Sequence, residues 1–313
     1  MDHTSIIPYT NQQEVIPVEI PKLEHILAGR LSSSSIAMYK RDVKAYTDYA
    51  LSQNIQWTDP KTLASWRDTL ALDGDMSPNT INRMIAAVKR IIREMAAREM
   101  IAEEESMKFD RVHGVKVKSL KNRLKKHART RITKEDMRRL CESPDKATLI
   151  GLRDRALLAV LASSGIRASE AATLTIDQIE KHEKGCTLKV CGKTDIEYRD
   201  AHLSVEAYQY IQEWIEQRPI KSSYIFTSFN TRGAIPFPDP ISEVTVWNIV
   251  QRYAEQCGIP NIKPHDFRRF LGTQLAAVDI RKAQKALGHQ SIETTARHYV
   301  LDELEIGLTD NLY

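Results

Sequence analysis

The chain has 313 residues, of which 42% are hydrophobic, and this length favours two globular domains over one. Its formal net charge of +4 excludes a strongly basic protein, so affinity for nucleic acid must come from a local cluster of cations. The four cysteines form no C-x-x-C pair, and the sequence has neither an apolar run long enough for a membrane span nor a signal-peptide pattern, so we expect a cytoplasmic protein with free thiols.

The first part of the chain has the pattern of a helical bundle preceded by an irregular arm. Residues 1–24 are polar, contain three prolines and show no sustained periodicity, which predicts a mobile arm. Serines at 32–35 precede an apolar stripe with i+3/i+4 spacing, and Asp59 and Ser77 each precede a proline that opens a further helix. We therefore predict an all-helical domain over residues 25–112.

Two basic surfaces are predicted beside this domain. The third helix has an apolar stripe on one face, and its other face carries Arg83, Lys89, Arg90 and Arg93. A basic strap at residues 116–131 contains eight lysines and arginines and no acidic residue, and among these cations are Lys121, Arg123, Lys125 and Lys126. Like charges extend such a segment, so residues 113–131 are interpreted as an interdomain linker. Both surfaces are predicted to contact DNA phosphates.

The second part of the chain combines helices with one predicted hairpin. Residues 149–163 are strongly apolar, which predicts a core helix that ends at Gly165. The pattern changes at residues 187–190 and 196–203, which flank a turn and predict a β-hairpin. Further helices are predicted at 205–217, 244–257, 267–277, 280–287 and 292–299. The sequence thus predicts a mixed α+β domain over residues 132–313, in a chain that is mainly α with a small β-sheet.

Six polar residues of this second part form an ordered set with a shared chemistry: Arg167, Lys193, His265, Arg268, His289 and Tyr299. Arginines suit the non-bridging oxygens of a phosphodiester, histidine and lysine suit proton transfer, and a phenol suits nucleophilic attack. Each residue alone has a plainer explanation, since a turn lysine is usually solvated and a tyrosine is often part of a core. The sequence has no nucleotide-binding loop, nucleophile elbow or zinc-protease motif. The set therefore favours phosphoryl transfer without a metal or another cofactor.

Over roughly residues 30–310 the sequence resembles the tyrosine recombinases, or phage integrase family, with the closest likeness to Xer-type members. The resemblance rests on five segments. Four are similar to the family's first arginine box, its lysine hairpin, its H-x-x-R box and its second histidine box: residues 153–174, 190–193, 265–268 and 287–289. The fifth, residues 294–299, resembles the family's nucleophile helix, with Thr294 and Thr295 before Tyr299. It implies catalytic roles for the six residues above, with Tyr299 as the nucleophile and Glu170 as the usual acidic neighbour of Arg167.

The sequence departs from the family pattern in three places. Residues 194–199 replace the common Gly/Lys-rich hairpin turn. The interval from Arg268 to His289 is about two residues shorter than usual, and His298 stands at the commoner position of the nucleophile. Tyr299 stays the predicted nucleophile, because both spacings occur in the family.

The resemblance implies a site-specific DNA recombinase with an N-terminal SAM-like core-binding domain and a C-terminal catalytic domain. It implies a 3′-phosphotyrosyl intermediate and a tetramer on two double-stranded DNA sites, without ATP, a metal, a membrane or a small-molecule substrate. Two alternatives stay open: a non-catalytic DNA-binding relative and a type IB-like topoisomerase. Residues 300–308 have the spacing of a short amphipathic helix, which would dock on its own domain or on a neighbouring subunit.

Overall fold

The computed structural model describes residues 22–74, 76–123, 132–183, 185–191, 198–230, 235–259, 261–289 and 291–299. By their internal contacts, the residues separate into two units, 1–127 and 128–313. Within the described ranges, every helix is too short or too polar to span a lipid bilayer.

The first unit is an all-helical bundle, as predicted. In chain order it contains α1 (Leu23–Leu27), α2 (Ser33–Ser52), α3 (Pro60–Leu72), α4 (Pro78–Ala96), α5 (Glu103–Asp110) and a 3₁₀ segment at Val117–Arg123. The side chains of Ser32, Asp59 and Ser77 accept hydrogen bonds from backbone amides of the first helical turns. These caps fix where α2, α3 and α4 begin, because the first amides of a helix have no partner within it.

The core of the first unit forms around α4. The apolar stripe of this helix is buried, with at most 2% of any of these four residues exposed: Ile81, Ile85, Val88 and Ile92. Tyr46 of α2 is fully buried beside Trp66, and its hydroxyl donates a hydrogen bond of 2.6 Å to the Trp57 carbonyl. The phenol is therefore tolerated in the core because its polar group is satisfied.

The N-terminal boundary of this bundle differs from the prediction. The arm is predicted to extend to residue 24, whereas α1 begins at Leu23 and buries Leu23, Ile26 and Leu27. A helix of five residues is too short for its periodicity to be recognised in the sequence, and it is stabilised by packing rather than by propensity. The remainder of the predicted arm, residues 1–21, lies outside the described residues.

The predicted linker is docked on the first unit over its first part. Val112 is buried in the bundle, and Val115 and Leu120 pack against the same core. Asn82 of α4 accepts a hydrogen bond of 2.8 Å from the Val115 amide and donates one of 3.1 Å to the Val115 carbonyl. One side chain thus satisfies both backbone groups of Val115, which holds this segment against α4 instead of leaving it extended.

The second unit is mostly helical, with five short strands among its described residues. In chain order it contains α6 (Lys134–Glu142), α7 (Leu149–Ser164), α8 (Ala168–Ala172), β1 (Ile179–His182), β2 (Gly185–Val190), β3 (Arg199–Leu203), α9 (Val205–Gln217), β4 (Thr227–Phe229), β5 (Pro236–Pro240), α10 (Glu243–Gln256), α11 (Pro264–Val278), α12 (Ile280–Leu287) and α13 (Ile292–Tyr299). The helical predictions are confirmed to within a few residues at each end.

Helix α7 is the centre of the second unit. It is buried on every face from Gly151 to Leu161 and packs against α6, α9, α11 and β3. A helix that is covered on all sides needs apolar residues all round, which is why this segment has an apolar run rather than a stripe. Gly165 ends the helix in a left-handed conformation with φ of 59°.

A buried ion pair interrupts this apolar helix. Arg153 donates hydrogen bonds of 2.9 and 2.7 Å to one Asp154 oxygen, and the Tyr253 hydroxyl donates to the other at 3.1 Å. Asp154 has no exposed surface and Arg153 has 3%. Burial raises the pKa of Asp154, and the positive charge of Arg153 opposes that rise. Because Tyr253 lies on α10, its hydrogen bond to Asp154 links α10 to α7 in the core of the unit.

The described residues of this unit form two antiparallel sheets where the sequence predicted one. The predicted hairpin of β2 and β3 is confirmed, with Val190 opposite Arg199, and β1 adds a third strand to it. Strands β4 and β5 pair separately. They escaped prediction because β4 has three residues and β5 contains three prolines, a composition that argues against a strand.

Candidate active site

The two neighbouring arginines near the start of α11 point in different directions. His265 and Arg268 are three residues apart and share one face of the helix, on which His265 is exposed. Arg268 is only 2% exposed, whereas the Arg269 side chain is 39% exposed and pairs with Asp266 at 3.4 Å. Arg268 therefore points into the unit, and Arg269 points towards solvent.

Arg268 joins two turns that are far apart in the sequence. Its Nη1 atom donates a hydrogen bond of 2.8 Å to the Gly165 carbonyl at the end of α7, and its Nη2 atom donates to the Leu287 carbonyl at the end of α12. Gly165 also packs closely, since a Cβ there would lie 3.0 Å from Leu271 Cδ2 and 3.3 Å from Leu287 Cδ2. The guanidinium thus holds together the turns that precede Arg167 and His289.

Arg167 is fixed by Glu170 one helical turn later. The Arg167 amide donates a hydrogen bond of 2.8 Å to Glu170 Oε2, and the Arg167 Nη1 atom donates one of 2.8 Å to Glu170 Oε1. Glu170 is 7% exposed, and the Arg167 side chain is 37% exposed. A buried carboxylate therefore holds both the backbone and the guanidinium of a half-exposed arginine.

A second arginine reaches the same carboxylate from the hairpin. Arg199, the first residue of β3, donates a hydrogen bond of 2.6 Å from Nη2 to Glu170 Oε2, and its side chain is 12% exposed. Its aliphatic part lies against Gly288 so closely that a Cβ at that position would overlap Arg199 Cδ. Gly288 also has φ of 64°, so both its conformation and its contact favour glycine.

His289 is linked to the helix that carries the predicted nucleophile. Its Nδ1 atom lies 2.9 Å from the hydroxyl of Thr295, which is fully buried in α13. Its backbone is held by Gln284, whose side chain donates to the His289 carbonyl at 3.1 Å. Thr295 is four residues before Tyr299, so the two residues share a face of α13. The ring of His289 is thereby oriented relative to this helix.

For two of the six predicted residues, the structure does not describe the side chain. Lys193 lies outside it, in the connection between β2 and β3, whose ends are Val190 and Arg199. Tyr299 is the last residue of α13, and for Tyr299 and His298 only the backbone is described. The structure thus brings together Arg167, Glu170, Arg268 and the turn before His289 through hydrogen bonds, with His265 on the same helix face as Arg268. The catalytic roles of all six predicted residues stay predictions.

The charges of this cluster favour an anion. Arg167, Arg199 and Arg268 supply three positive charges against the single negative charge of Glu170. A guanidinium has a planar array of donors that matches the oxygens of a phosphate. In the described part of the chain, no group of three or more His, Cys, Asp or Glu side chains is arranged to hold a metal ion.

Sequence reasoning missed two residues of this cluster, Arg199 and Thr295. Arg199 ends the unusual hairpin turn, and it shares one face of its strand with the buried Ala201 and Leu203. A charge on that face points inward and needs a partner, which is the signal that could have identified it. Thr295 lies in the segment that resembles the nucleophile helix, and its position four residues before Tyr299 is the sequence signal that points to it.

The predicted basic face of α4 is engaged in ion pairs within its own unit. Arg83 pairs with Asp42, and Arg90 pairs with Glu94 at 3.1 Å. Arg93 pairs with Asp110 at 2.6 Å, and the Lys89 ammonium donates to the Asp110 carbonyl at 3.1 Å. Burial lowers the pKa of Lys89. The negative partners offset much of the charge that this face was predicted to offer to DNA.

The basic strap is described only in part. For residues 121–123 the backbone is described and the side chains are not, so the contacts of Lys121 and Arg123 lie outside the described structure. Lys125 and Lys126 lie outside it altogether. Contact between the basic strap and DNA therefore stays a prediction.

Comparison with known proteins identifies the class of this chain. Residues 130–304 match the phage integrase family, and residues 23–99 match the phage integrase N-terminal SAM-like domain. The tyrosine recombinase XerD of Neisseria meningitidis serogroup B is 30% identical over 277 residues, which cover 86% of this chain and 88% of that protein. XerD of Corynebacterium glutamicum is 27% identical over 301 residues, which cover 90% of this chain and 93% of that protein.

Solved structures share the fold. XerH site-specific recombinase bound to a palindromic difH substrate, in a post-cleavage complex, has a TM-score of 0.67 and 20% identity, covering 88% of this chain and 80% of that one. The Tn1549 transposon integrase in complex with circular intermediate DNA has a TM-score of 0.66 and 17% identity, covering 90% of this chain and 95% of that one. The chain therefore belongs to the phage integrase family and is a site-specific recombinase of the tyrosine type.

Proposed function

We propose that this recombinase cleaves one DNA strand with the Tyr299 hydroxyl and conserves the bond energy in a 3′-phosphotyrosyl ester. The phenol gives its proton to a histidine of the site as its oxygen forms a bond to phosphorus. The bond from phosphorus to the 5′ oxygen breaks, and that departing oxygen takes up a proton. The reverse attack by a 5′ hydroxyl of a second DNA rejoins the strands. Neither ATP nor a metal ion is needed, because the ester keeps the energy and the arginines carry the charge stabilisation.

One observation carries this proposal. His289 is bonded to Thr295, which stands four residues before Tyr299, and the Arg268 guanidinium holds the Leu287 carbonyl two residues before His289. This chain of contacts ties the arginine cluster to the nucleophile helix. It supports a phosphate held by Arg167 and Arg268, with His265 and His289 placed for proton transfer and hydrogen bonding.

We further propose Lys193 as the general acid that protonates the leaving 5′ oxygen. Its place between β2 and β3 supports this role, because the strand that follows it begins with Arg199, which is bonded to Glu170 beside Arg167. A flexible ammonium on such a connection can approach a phosphate that Arg167 holds. In the competing route a histidine protonates the leaving 5′ oxygen. Substitution of Lys193 distinguishes the two routes, because only the first requires its ammonium.

The partners follow from the family and the chemistry. XerH and the Tn1549 integrase were solved with DNA, and double-stranded DNA sites are the proposed substrate of this chain too. We propose a tetramer on two sites and a cytoplasmic location. Residues 300–308, which are predicted to form a short helix that docks on its own domain or on a neighbouring subunit, lie outside the described residues.

The proposed chemistry can be tested before the target sequence is known. The full-length protein is incubated, in buffer containing EDTA, with a library of nicked duplexes that carry a randomised segment. A nick near the cleavage point lets the short 5′-hydroxyl fragment diffuse away, so covalent complexes accumulate. Complexes that survive SDS are captured and their DNA is sequenced.

We expect adducts at the 3′ side of a recurring sequence, and we expect Tyr299→Phe to form none. A wild-type protein that forms no adduct with any member of the library, or forms it only when EDTA is omitted, contradicts the proposal. Recovery of one recurring duplex also supplies the substrate for the experiments below.

A further inference from the structure

A residue outside the six predicted ones is built into the cluster at the base of the hairpin. Arg199 begins β3 directly after the connection that contains Lys193, and its side chain is 12% exposed. Its neighbours on the same strand behave differently: Asp200 is exposed and pairs with Lys189 at 2.7 Å, whereas Ala201 is fully buried. Strand alternation therefore directs Arg199 towards the interior, where a charge must have a partner.

The partner of Arg199 is also the partner of Arg167. Glu170 Oε2 accepts from Arg199 Nη2 at 2.6 Å and from the Arg167 amide at 2.8 Å, while Oε1 accepts from Arg167 Nη1 at 2.8 Å. A bond from Arg199 fixes the rotation of the Glu170 carboxylate, because one of its two oxygens is held from outside α8. That carboxylate in turn accepts a hydrogen bond from the Arg167 guanidinium, so its orientation contributes to where the guanidinium lies.

Glu170 is the main acceptor that the described residues offer to Arg199. The Nε and Nη1 atoms of Arg199 are buried and have no hydrogen-bond partner within the described ranges. Buried donors without partners are unfavourable, so the bond to Glu170 is important for keeping this side chain in place. We therefore expect that loss of the Arg199–Glu170 contact also displaces Arg167, which binds the same carboxylate.

The body of Arg199 also contacts the turn before His289. Its Cδ and Nε atoms occupy the space that a side chain at position 288 would need, which leaves room only for Gly288. Strand β3 contacts α12, the helix that Gly288 ends. One side chain thus touches both Glu170 and the Leu287–His289 turn.

We propose that Arg199 is a positioning residue that sets the Arg167 guanidinium for the scissile phosphate by holding Glu170. This inference rests on the proposed function, in which Arg167 stabilises charge on that phosphate. Arg199 does not itself touch the reacting atoms in this proposal. Its effect on the reaction passes through Glu170, with the contact at Gly288 keeping its aliphatic part in register.

The test uses three changes at this position and one matched control. Arg199→Met keeps the aliphatic body against Gly288 and removes the charge, Arg199→Ala removes both, and Arg199→Lys keeps a charge without the planar fork. Lys189→Met is the control, because Lys189 lies on the neighbouring strand and its ion pairs with Glu180 and Asp200 face away from the cluster. Thermal unfolding and DNA affinity are measured for each variant.

Single-turnover adduct formation is then measured on three forms of the duplex recovered from the library. The first has a normal phosphodiester at the cleavage point. The second has a methylphosphonate, which lacks the negative charge that Arg167 would neutralise. The third has a 5′-bridging sulfur, whose thiolate leaves without a proton, so general acid catalysis is not required.

We expect Arg199→Met to bind DNA normally and to cleave the phosphodiester about 100-fold more slowly, the loss that a small misplacement of a catalytic group produces. The loss should shrink on the methylphosphonate and persist on the 5′-sulfur substrate. Arg199→Lys should recover part of the rate, Arg199→Ala should be at least as slow as Arg199→Met, and Lys189→Met should cleave like the wild type. If Arg199→Met does not fold, the same substrate pattern is required of Arg199→Lys.

Two results would overturn the inference while leaving the proposed function intact. One is a wild-type cleavage rate for Arg199→Met on the phosphodiester. The other is a defect that the 5′-sulfur substrate removes and the methylphosphonate does not, which would assign Arg199 to the proton donor instead of Arg167. Failure of the wild type to form any adduct, by contrast, refutes the proposed function itself.

Discussion

The Nδ1 atom of His289 lies 2.9 Å from the Thr295 hydroxyl, and this contact connects the turn after α12 to the helix that ends at Tyr299. Thr295 is fully buried, so its hydroxyl needs the partner that His289 provides. The geometry of the histidine and the placement of α13 are therefore coupled. A change at Thr295 should affect the reaction although Thr295 has no chemical role of its own.

Thr295→Val should slow adduct formation about fivefold, because it removes one hydrogen bond worth about 1 kcal/mol while keeping the shape of the side chain. Thr295→Ser should restore most of the rate. Thr294→Val is the matched control, since Thr294 is exposed on the same helix. Single-turnover cleavage measures all three, and equal rates for Thr295→Val and Thr294→Val would show that the contact does not orient His289.

Tyr299→Phe should bind the recovered duplex normally and form no SDS-resistant adduct, because the ring is kept and the attacking oxygen is lost. His298→Phe should still form adduct. Gel shift reports binding, and denaturing electrophoresis reports the covalent complex. Adduct formation by Tyr299→Phe together with its loss in His298→Phe would place the nucleophile one residue earlier.

Arg268→Lys should cleave about 100- to 1000-fold more slowly, by analogy with the loss of one donor to a developing oxyanion. A lysine cannot reproduce the planar fork with which Arg268 donates to the Gly165 and Leu287 carbonyls. Arg269→Lys should be close to normal, since Arg269 is partly exposed and pairs with Asp266. A slow Arg269→Lys beside a near-normal Arg268→Lys would transfer the role to Arg269.

Replacing Lys121, Arg123, Lys125 and Lys126 of the basic strap with glutamine should weaken binding to specific and random DNA alike. The plot of log K against log salt should become flatter by about 0.9 for each lost phosphate contact. Replacing Arg83, Arg90 and Arg93 with glutamine should change that slope less, because these arginines already pair with acidic residues. An unchanged slope in the strap variant would mean that the strap makes no phosphate contact.

Asp154→Asn should destabilise the protein by about 3–5 kcal/mol, because it leaves the buried Arg153 charge without its counter-ion. Asp48→Asn is the control, since the Lys44–Asp48 pair is exposed and such pairs contribute about 1 kcal/mol or less. Chemical denaturation followed by tryptophan fluorescence measures both changes. A stability of Asp154→Asn within error of the control would show that Arg153 finds another partner.

Local sequence signals determined most of the helical framework. The caps at Ser32, Asp59 and Ser77 and the apolar stripe of α4 are short-range features, and the helices that they predict have nearly the predicted bounds. The apolar run of α7 similarly predicted a core helix, and the helix is buried from Gly151 to Leu161. Such elements are predictable because capping and periodicity act within a few residues of chain.

Elements that depend on distant partners were not predictable in this way. Helix α1 is stabilised by the bundle that it covers, and strand β1 is stabilised by its pairing with β2. The first part of the linker is held by Asn82, which is 33 residues away from Val115 in the sequence. In each case the stabilising contact is made by residues far along the chain, which a local pattern cannot reveal.

The same division applies to the active site. The sequence by itself supplied the candidates for the chemistry, because the order of Arg167, His265, Arg268 and His289 is a property of the chain. Only the tertiary structure decided that Arg268 is buried and Arg269 is not, and that Arg199 meets Glu170 beside Gly288. A charge can be buried only where a distant part of the chain supplies its partner, and that meeting is decided by packing.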